Sequence, residues 1–220
     1  DLLSKMYNDD FYYNEMNTDK ALSYSTAKML LKSPKLFDNM TRSHMKETQA
    51  LRDGKLIHTQ ILEPHKYAKF NFVEASTRAT KAFKDAVVES GASNTFTVKE
   101  RNTCDRVSSA FLNNSSCTNF LERGLTEVPG LVTYEGIPFR AKADILGADF
   151  VADVKTSSDG VSDITIANGS TKNQFAYTIA KYDYDMQAYL YTQVFDVPDF
   201  YWLVIDKTTT DIGIFKASQD

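Results

Sequence analysis

The sequence predicts a mixed α/β fold, of the α+β kind, in which a helical part precedes a mixed central sheet flanked by helices. Two observations carry this prediction. Residues 22–120 hold apolar positions at helical spacing between capping residues and prolines. From Leu125 onward the apolar positions alternate with period two, and turn residues separate the runs. We therefore expect a mainly helical part at 1–124 and a sheet core at 125–220.

The chain of 220 residues, 42% of them hydrophobic, is long enough to bury one complete core, so we expect a single domain over 1–220. No run approaches the roughly 18 apolar residues of a membrane span. No basic and apolar segment typical of a secretory signal opens the chain. Cys104 and Cys117 lack metal-type spacing, which predicts ordinary buried or half-buried thiols. These features together predict a cytoplasmic protein that does not act at a membrane.

The net charge of −4 is unevenly distributed along the chain. Residues 1–126 carry 18 Lys and Arg against 15 Asp and Glu, whereas residues 127–220 carry 7 against 14. The basic helical half could grip a phosphate backbone, and bound cations could offset part of the acid in the sheet half. The distribution therefore permits a nucleic-acid partner, although the net charge alone argues against one.

The first helices follow from caps and prolines. Residues 1–20 are polar and tyrosine-rich, and we expect an extended lead-in there. Its consecutive aromatic residues would pack it on the domain: Phe11, Tyr12 and Tyr13. Ser23 or Ser25 is the predicted N-cap of a helix that ends before Pro34.

A second helix is predicted from residue 50 to Pro64. Gly54 and His58 lie one turn apart on it, and the small glycine would let the helix approach a neighbour closely. His58 lies on or beside the apolar stripe, where a histidine is usually a core residue. Further helices are predicted to open at 77–84 and to span 99–120, with a break near Asn114.

The sheet core starts with strands at 126–128 and 131–134, and residues 137–140 lead into the next strand. Residues 141–146 and 150–156 then alternate like two strands around a tight turn. Strands at 200–206 and 212–215 close the sheet.

The second strand of that hairpin carries Asp153 and Lys155, whose side chains leave the same face because they are two residues apart. Pairing across the turn would bring Asp144 close to them. Two carboxylates beside one lysine suit Mg²⁺ and a polarised water. The alternative is a solvated strand face, since Asp-x-Lys is a short pattern. The apolar neighbours Val151 and Val154 argue against it, because a strand buried on both sides rarely carries charges.

The arrangement Asp144…Asp153-x-Lys155 resembles the PD-(D/E)xK nuclease superfamily, with Ala143 standing where proline is typical. The order of segments over 22–205 is similar to the RecE (exonuclease VIII) type of phage and prophage exonuclease. These enzymes are relatives of lambda exonuclease and of the RecB and AddB nuclease domains. The resemblance implies a restriction-endonuclease-like core.

The resemblance also implies roles for single residues. His58, in Gly-x-x-x-His followed by Leu-Glu-Pro, corresponds to a metal-ligating histidine, and with Asp144 and Asp153 it forms the predicted ligand set. Lys155 would orient and help deprotonate the attacking water. Glu127 matches an acidic position on the preceding strand, although an exposed strand glutamate is an equal possibility.

Residues 175–195 predict one long helix with a Tyr-x-x-Gln-x-x-x-Tyr motif at Tyr184, Gln187 and Tyr191. Gln187 and Tyr191 share a face because they are four residues apart. By resemblance both point at the metal site, and packing of an amphipathic helix on the sheet is the alternative.

The segment at Ser25 and Lys28 resembles the opening segment of RecE-like nucleases, where a helix N-terminus and a basic residue face DNA phosphate. Plain helix capping explains the same residues.

By resemblance the activity is hydrolysis of linear double-stranded DNA from 5′ to 3′, with one or two Mg²⁺ ions for which Mn²⁺ substitutes. Such enzymes often form homo-oligomeric rings and work with a single-strand annealing recombinase. Two alternatives stay open. One is a structure-specific or restriction-type endonuclease, and the other is a non-catalytic DNA-binding module on a nuclease fold.

Overall fold

The computed structural model describes residues 1–17, 20–42, 48–165 and 170–218, without the side chains of 40–42. The first part of the chain forms helices and two short strands. In chain order these are α1 (Leu2–Met6), α2 (Tyr24–Lys32), α3 (Pro34–Arg42), α4 (Gln49–Leu62), α5 (Pro64–Tyr67), β1 (Asn71–Val73), α6 (Lys81–Ser90), β2 (Thr95–Thr97), α7 (Val98–Leu112) and α8 (Ser115–Arg123).

The second part supplies the main sheet. Its elements are β3 (Gly124–Tyr134), β4 (Ile137–Gly147), β5 (Phe150–Ser157), β6 (Asp163–Thr165), β7 (Thr171–Asn173), α9 (Gln174–Tyr182), α10 (Tyr184–Phe195), β8 (Asp199–Asp206) and β9 (Ile212–Lys216). The strand order is β3-β4-β5-β8-β9, with β5 and β8 parallel and the other neighbours antiparallel. The predicted mixed sheet flanked by helices is thereby confirmed.

The sheet lies between two apolar cores. On one face Phe150, Ala152 and Val154 of β5 pack with residues of α4, α7 and α8. On the other face Val151 packs with α9 and α10. Because side chains alternate along a strand, Asp153 and Lys155 share the face of Val151 and lie towards α10. Cys104 and Cys117 are free and buried, as predicted.

The N-terminal segment is helical, so the prediction of an extended lead-in was wrong. Asp1 caps α1, and a π-helical turn follows at Phe11–Glu15. Met6, Tyr12 and Met16 form a small buried cluster against β3. Burial of these side chains stabilises the helical segment, although its composition is mostly polar. In α2, Ser23 is the N-cap and forms a capping box with Thr26.

The long helix predicted at 175–195 is two helices, α9 and α10, separated at Asp183. Asp183 has left-handed backbone angles, φ 54° and ψ 39°. The carbonyl of Tyr182 accepts hydrogen bonds from the Tyr24 hydroxyl and the Lys28 ammonium rather than from the next turn. Contacts with α2 therefore replace the bonds that would have continued the helix.

Within the described ranges, no helix combines the length and the apolar character that crossing a membrane requires.

Candidate active site

Three carboxylates form a row across three adjacent strands. In the antiparallel register, Thr126 pairs with Ile145 and Val128 with Ala143, so Glu127 stands opposite Asp144. Directly opposed residues on antiparallel strands share a face. Glu127 has a φ of 55°, which is uncommon and costly for a residue with a side chain.

The third carboxylate lies on β5, where the hairpin opens. Ile145 pairs with Ala152, and the same register continued by one residue sets Asp144 opposite Asp153. There the backbone ladder stops. The Asp144 Oδ2 atom accepts a hydrogen bond of 2.7 Å from the Val154 amide, in the place of a β4 carbonyl. At this point a side chain of β4, and not its backbone, bonds to the backbone of β5.

His58 of α4 takes the second backbone group of Val154. Its Nε2 atom lies 2.5 Å from the Val154 carbonyl oxygen, which can only accept a hydrogen bond. Nε2 therefore carries the proton, and Nδ1, 3.5 Å from Asp144 Oδ2, keeps its lone pair when the ring is neutral. Donation to a backbone carbonyl is the usual way in which a metal-binding histidine is oriented.

Gly54 does not have the role predicted for it. A β-carbon added there would meet no atom of the described residues within 4 Å, so close helix packing does not require glycine at this position. The residue lines the cavity instead.

The donor set fits a divalent cation. Ligand atoms of His58, Glu127 and Asp144 all lie within 4.8 Å of one another. One imidazole and two carboxylates suit Mg²⁺ or Mn²⁺, which prefer oxygen ligands and accept imidazole to different degrees. The cluster shares His58 and Asp144 with the predicted ligand set and contains Glu127 where the prediction has Asp153.

Asp153 is buried and is occupied by other partners. Its Oδ1 atom accepts a 2.6 Å hydrogen bond from Gln187 Nε2, and its Oδ2 atom lies 2.6 Å from Lys155 Nζ. The Lys155 ammonium also lies 4.9 Å from the centre of the Tyr184 ring. Two members of the Tyr-x-x-Gln-x-x-x-Tyr motif thus contact the Asp-x-Lys pair directly.

Tyr191, the last member of the motif, lines the same cavity. Its ring packs edge-on against Phe195 and Phe200. Burial raises the pKa of Tyr191 well above its ordinary value, so its hydroxyl stays protonated. A protonated hydroxyl can donate a hydrogen bond to an anion.

The electrostatics of the row favour a bound cation. Burial, above all, raises the pKa of Asp144 to about 7. Electrostatic interaction with His58 and Lys155 opposes this rise, and the carboxylates of Asp153 and Glu127 add to it. The raised pKa means that burial disfavours the charged form of Asp144, and a bound metal ion would stabilise that form.

The two predicted DNA-contact residues are placed differently from each other. Ser25 lines the cavity, and its hydroxyl lies 3.0 Å from that of Ser23. Lys28 faces the break between α9 and α10, where its ammonium contacts the Tyr182 carbonyl and lies 3.4 Å from Asp183 Oδ2. The structure therefore brings Ser25, but not Lys28, to the cavity.

Several charged residues that line the cavity were not predicted from the sequence, among them Asp9, Lys66, Arg140 and Lys142. Arg140 and Lys142 precede Asp144 by four and two residues, so period-two alternation along β4 could have identified them. Asp9 and Lys66 carry no such signal, since only the tertiary fold brings them here. The cavity encloses about 1030 Å³.

The class follows from this geometry. A mixed sheet with helices on both faces sets an aspartate, an Asp-x-Lys pair and an adjoining acid around one cavity, which is the arrangement of the PD-(D/E)xK fold. Residues 23–211 match the family described as "PDDEXK-like domain of unknown function (DUF3799)", and the chain belongs to this family. The predicted membership of the PD-(D/E)xK superfamily is thus confirmed, whereas the RecE type stays a prediction.

One solved structure supports the fold. A candidate exonuclease from Eubacterium rectale aligns with a TM-score of 0.67 at 13% identity, over 96% of this chain and 78% of the other. At this identity the likeness concerns the fold alone. SSO0001 aligns over 87% of this chain and 77% of the other, at 16% identity and a TM-score of 0.30, which carries no argument. No curated protein sequence matches the chain.

Proposed function

We propose that this protein is a metal-dependent deoxyribonuclease that hydrolyses phosphodiester bonds. The observation that carries the proposal is the row of Glu127, Asp144 and Asp153 across β3, β4 and β5, with a histidine at one side and Lys155 at the other. The PDDEXK-like family and the fold of the Eubacterium rectale protein support it.

The ligand residues and the lysine have separate tasks. His58, Asp144 and Glu127 would hold a divalent cation. Asp153 would be a further ligand after its hydrogen bond with Gln187 and its ion pair with Lys155 break. When bound, such an ion would supply Lewis-acid polarisation of the phosphate and activation of the attacking water. Lys155, fixed between Asp153 and the Tyr184 ring, holds its ammonium where charge builds on the scissile phosphate. Gln187 keeps Asp153 in place.

The narrower proposal is an exonuclease that acts on ends of linear double-stranded DNA from 5′ to 3′ in phage-type recombination. The order of segments, similar to RecE-type enzymes, supports it. A homo-oligomeric ring, a single-strand annealing recombinase as partner, one or two Mg²⁺ ions and a cytoplasmic location belong to the same proposal.

The test compares linear and covalently closed circular duplex DNA in Mg²⁺, in Mn²⁺ and in EDTA. We expect metal-dependent loss of the linear form alone. Cleavage of both forms would identify an endonuclease, and binding without any cleavage would identify a DNA-binding module and overturn the proposal.

Lys155→Ala sharpens this test. We expect cleavage to fall by at least about a hundredfold while duplex binding persists, because the lysine acts on charge that develops in the transition state. Lys84→Ala removes an exposed lysine of α6 and is the matched control. Cleavage retained by Lys155→Ala would remove the lysine from the mechanism.

A further inference from the structure

A second charged feature lies beside the carboxylates, on the same face of β4. Arg140, Lys142 and Asp144 alternate along the strand, and all three line the cavity. Successive members are about 6.6 Å apart, because a strand advances about 3.3 Å per residue. Lys142 therefore lies one such step from the proposed metal ligand Asp144, a distance comparable to that between neighbouring phosphates on one nucleic-acid strand. The strand thus presents two cations in line with a proposed metal ligand.

Arg140 is buried without an acidic partner. Only 6% of its surface is exposed, and its Nε atom has no hydrogen-bond partner among the described residues. Its electrostatic partners among those residues are Tyr12 and Tyr13, and none of them is a carboxylate. Its Nη1 atom donates to the Tyr12 carbonyl, and its guanidinium lies 4.7 Å from the Tyr12 ring centre. A buried cation that is satisfied by a neutral carbonyl is costly, and an anion would satisfy it better.

Asp9 bridges Lys142, two residues from Arg140, and Lys66, which also lies 2.7 Å from Glu63 Oε1. Its Oδ1 atom lies 2.6 Å from Lys142 Nζ, and its Oδ2 atom lies 2.5 Å from Lys66 Nζ. A carboxylate that bridges two ammonium groups through separate oxygens occupies them as a phosphate would. Lys142 also lies 2.9 Å from Glu127 Oε2, so the bridged pair adjoins the proposed metal ligands.

The segment that carries Asp9 and Tyr12 packs on the domain through a small apolar cluster. Its buried cluster of Met6, Tyr12, Met16 and Ala21 is separate from the two cores that cover the sheet. Its turn at Phe11–Glu15 is π-helical, a rare geometry that is frequent at functional sites. The side chain of Asp9 remains 43% exposed, so an incoming anion can reach and displace it.

We propose that Arg140, Lys142 and Lys66 form a subsite for a phosphate of the DNA strand next to the scissile one, and that Asp9 and Tyr12 occupy this subsite in the DNA-free protein. This inference rests on the proposed nuclease function, because it takes DNA as the ligand. The N-terminal segment then competes with substrate and must yield when a strand enters the cavity.

The test measures duplex binding in EDTA, where no cleavage takes place. The probe is a short blunt DNA duplex, prepared with a 5′-phosphate or with a 5′-hydroxyl. We expect Asp9→Asn to bind it about threefold to tenfold more tightly than the unmodified protein, because the competing carboxylate is gone. Asp10→Asn is the matched control, since it removes the same charge from the adjacent, exposed residue.

A second variant tests the cations and does not depend on a buried position. In the Asp9→Asn background, Lys66→Gln should weaken binding and lower the slope of log affinity against log salt by about one, as expected for one lost phosphate contact. Tightening with both duplexes assigns the subsite to an internal phosphodiester, and tightening with the 5′-phosphate alone assigns it to a terminal phosphate.

Equal tightening in Asp10→Asn, or none in Asp9→Asn, would overturn the subsite even if the protein cleaves DNA. Tightening confined to Asp9→Asn in a protein that cleaves no DNA would instead overturn the nuclease proposal and keep the subsite.

Discussion

The two ends of the β4–β5 hairpin differ in what holds the strands. At the closed end Ile145 pairs with Ala152 and Leu146 with Val151, and the next residues turn within two positions. At the open end both backbone groups of Val154 bond to side chains, the amide to Asp144 and the carbonyl to His58. The same hairpin therefore serves folding at one end and a polar site at the other.

Part of the β4 edge that β5 leaves free bonds to another segment of the chain. Leu22 lies alongside the freed edge, where its amide donates to Pro138 and its carbonyl accepts from Arg140, at 2.9 and 2.8 Å. A buried peptide group without a hydrogen-bond partner would be costly, so these replacement hydrogen bonds lower the free-energy cost of separating the two strands. At this end of the hairpin, hydrogen bonds from side chains and from Leu22 replace those between β4 and β5, and the cavity lies there.

Breaking the open end should remove chemistry and spare the fold, and this is the largest effect we expect. Asn at position 144 still accepts from the Val154 amide but lacks the charge that a cation requires. We expect Asp144→Asn to lose detectable Mn²⁺ binding by calorimetry and at least about a thousandfold of cleavage. Its metal-free form should unfold at or above the unmodified temperature, because repulsion from Glu127 and Asp153 is relieved.

Asp149→Asn is the control for Asp144→Asn, since Asp149 lies at the closed end and pairs with Arg123 on the surface. Its Mn²⁺ affinity and its cleavage rate should match those of the unmodified protein. Mn²⁺ binding that survives in Asp144→Asn would contradict the ligand role.

Breaking the closed end should have the opposite outcome. Phe150 is buried and packs edge-on against Phe120, with ring centres 5.1 Å apart. We expect Phe150→Ala to lower the free energy of unfolding by about 3–5 kcal/mol in urea titrations, because it leaves a cavity in the core. The cleavage rate per folded molecule should stay unchanged. If the variant does not fold, Phe150→Leu gives a smaller loss of the same kind, and a fall in that rate would show that the two ends are coupled.

The two ends of the hairpin also show which features of the structure could be predicted from the sequence. The closed end follows from alternation and a short turn, which are local signals, and the strands at Asp144 and Asp153 lie where they were expected. The break at Asp183 could not be read in this way. Its cause is the contact of Tyr24 and Lys28 with the Tyr182 carbonyl, more than 150 residues apart in sequence.

The composition of the site was predictable only in part. We could expect His58, Asp144 and Lys155 near one cavity, because each lies on a helix or strand that the apolar pattern of the sequence predicts. The exchange of Glu127 for Asp153 in the three-residue cluster depends on which acid Gln187 and Lys155 engage. Such competition among partners depends on side-chain distances in the folded protein, which no spacing in a sequence encodes.

The smallest effect that we expect concerns the support of Asp153 rather than the ends of the hairpin. Gln187 is buried, and its amide is the hydrogen-bond donor that holds the Oδ1 atom of Asp153. Gln187→Leu keeps a similar volume and removes the donor, so Asp153 is free to turn towards the Asp144 side of the row. Groups that orient ligands are typically worth about tenfold to a hundredfold in activity.

We therefore expect Gln187→Leu to lower the cleavage rate by about tenfold while Mn²⁺ affinity changes little, because the His58, Glu127 and Asp144 cluster is untouched. Gln193→Leu, an exposed position on the same helix, is the control and should retain the full rate. A tenfold loss of Mn²⁺ affinity in Gln187→Leu would instead make Asp153 a primary ligand, and the cation would then be centred between β4 and β5 rather than between β3 and β4.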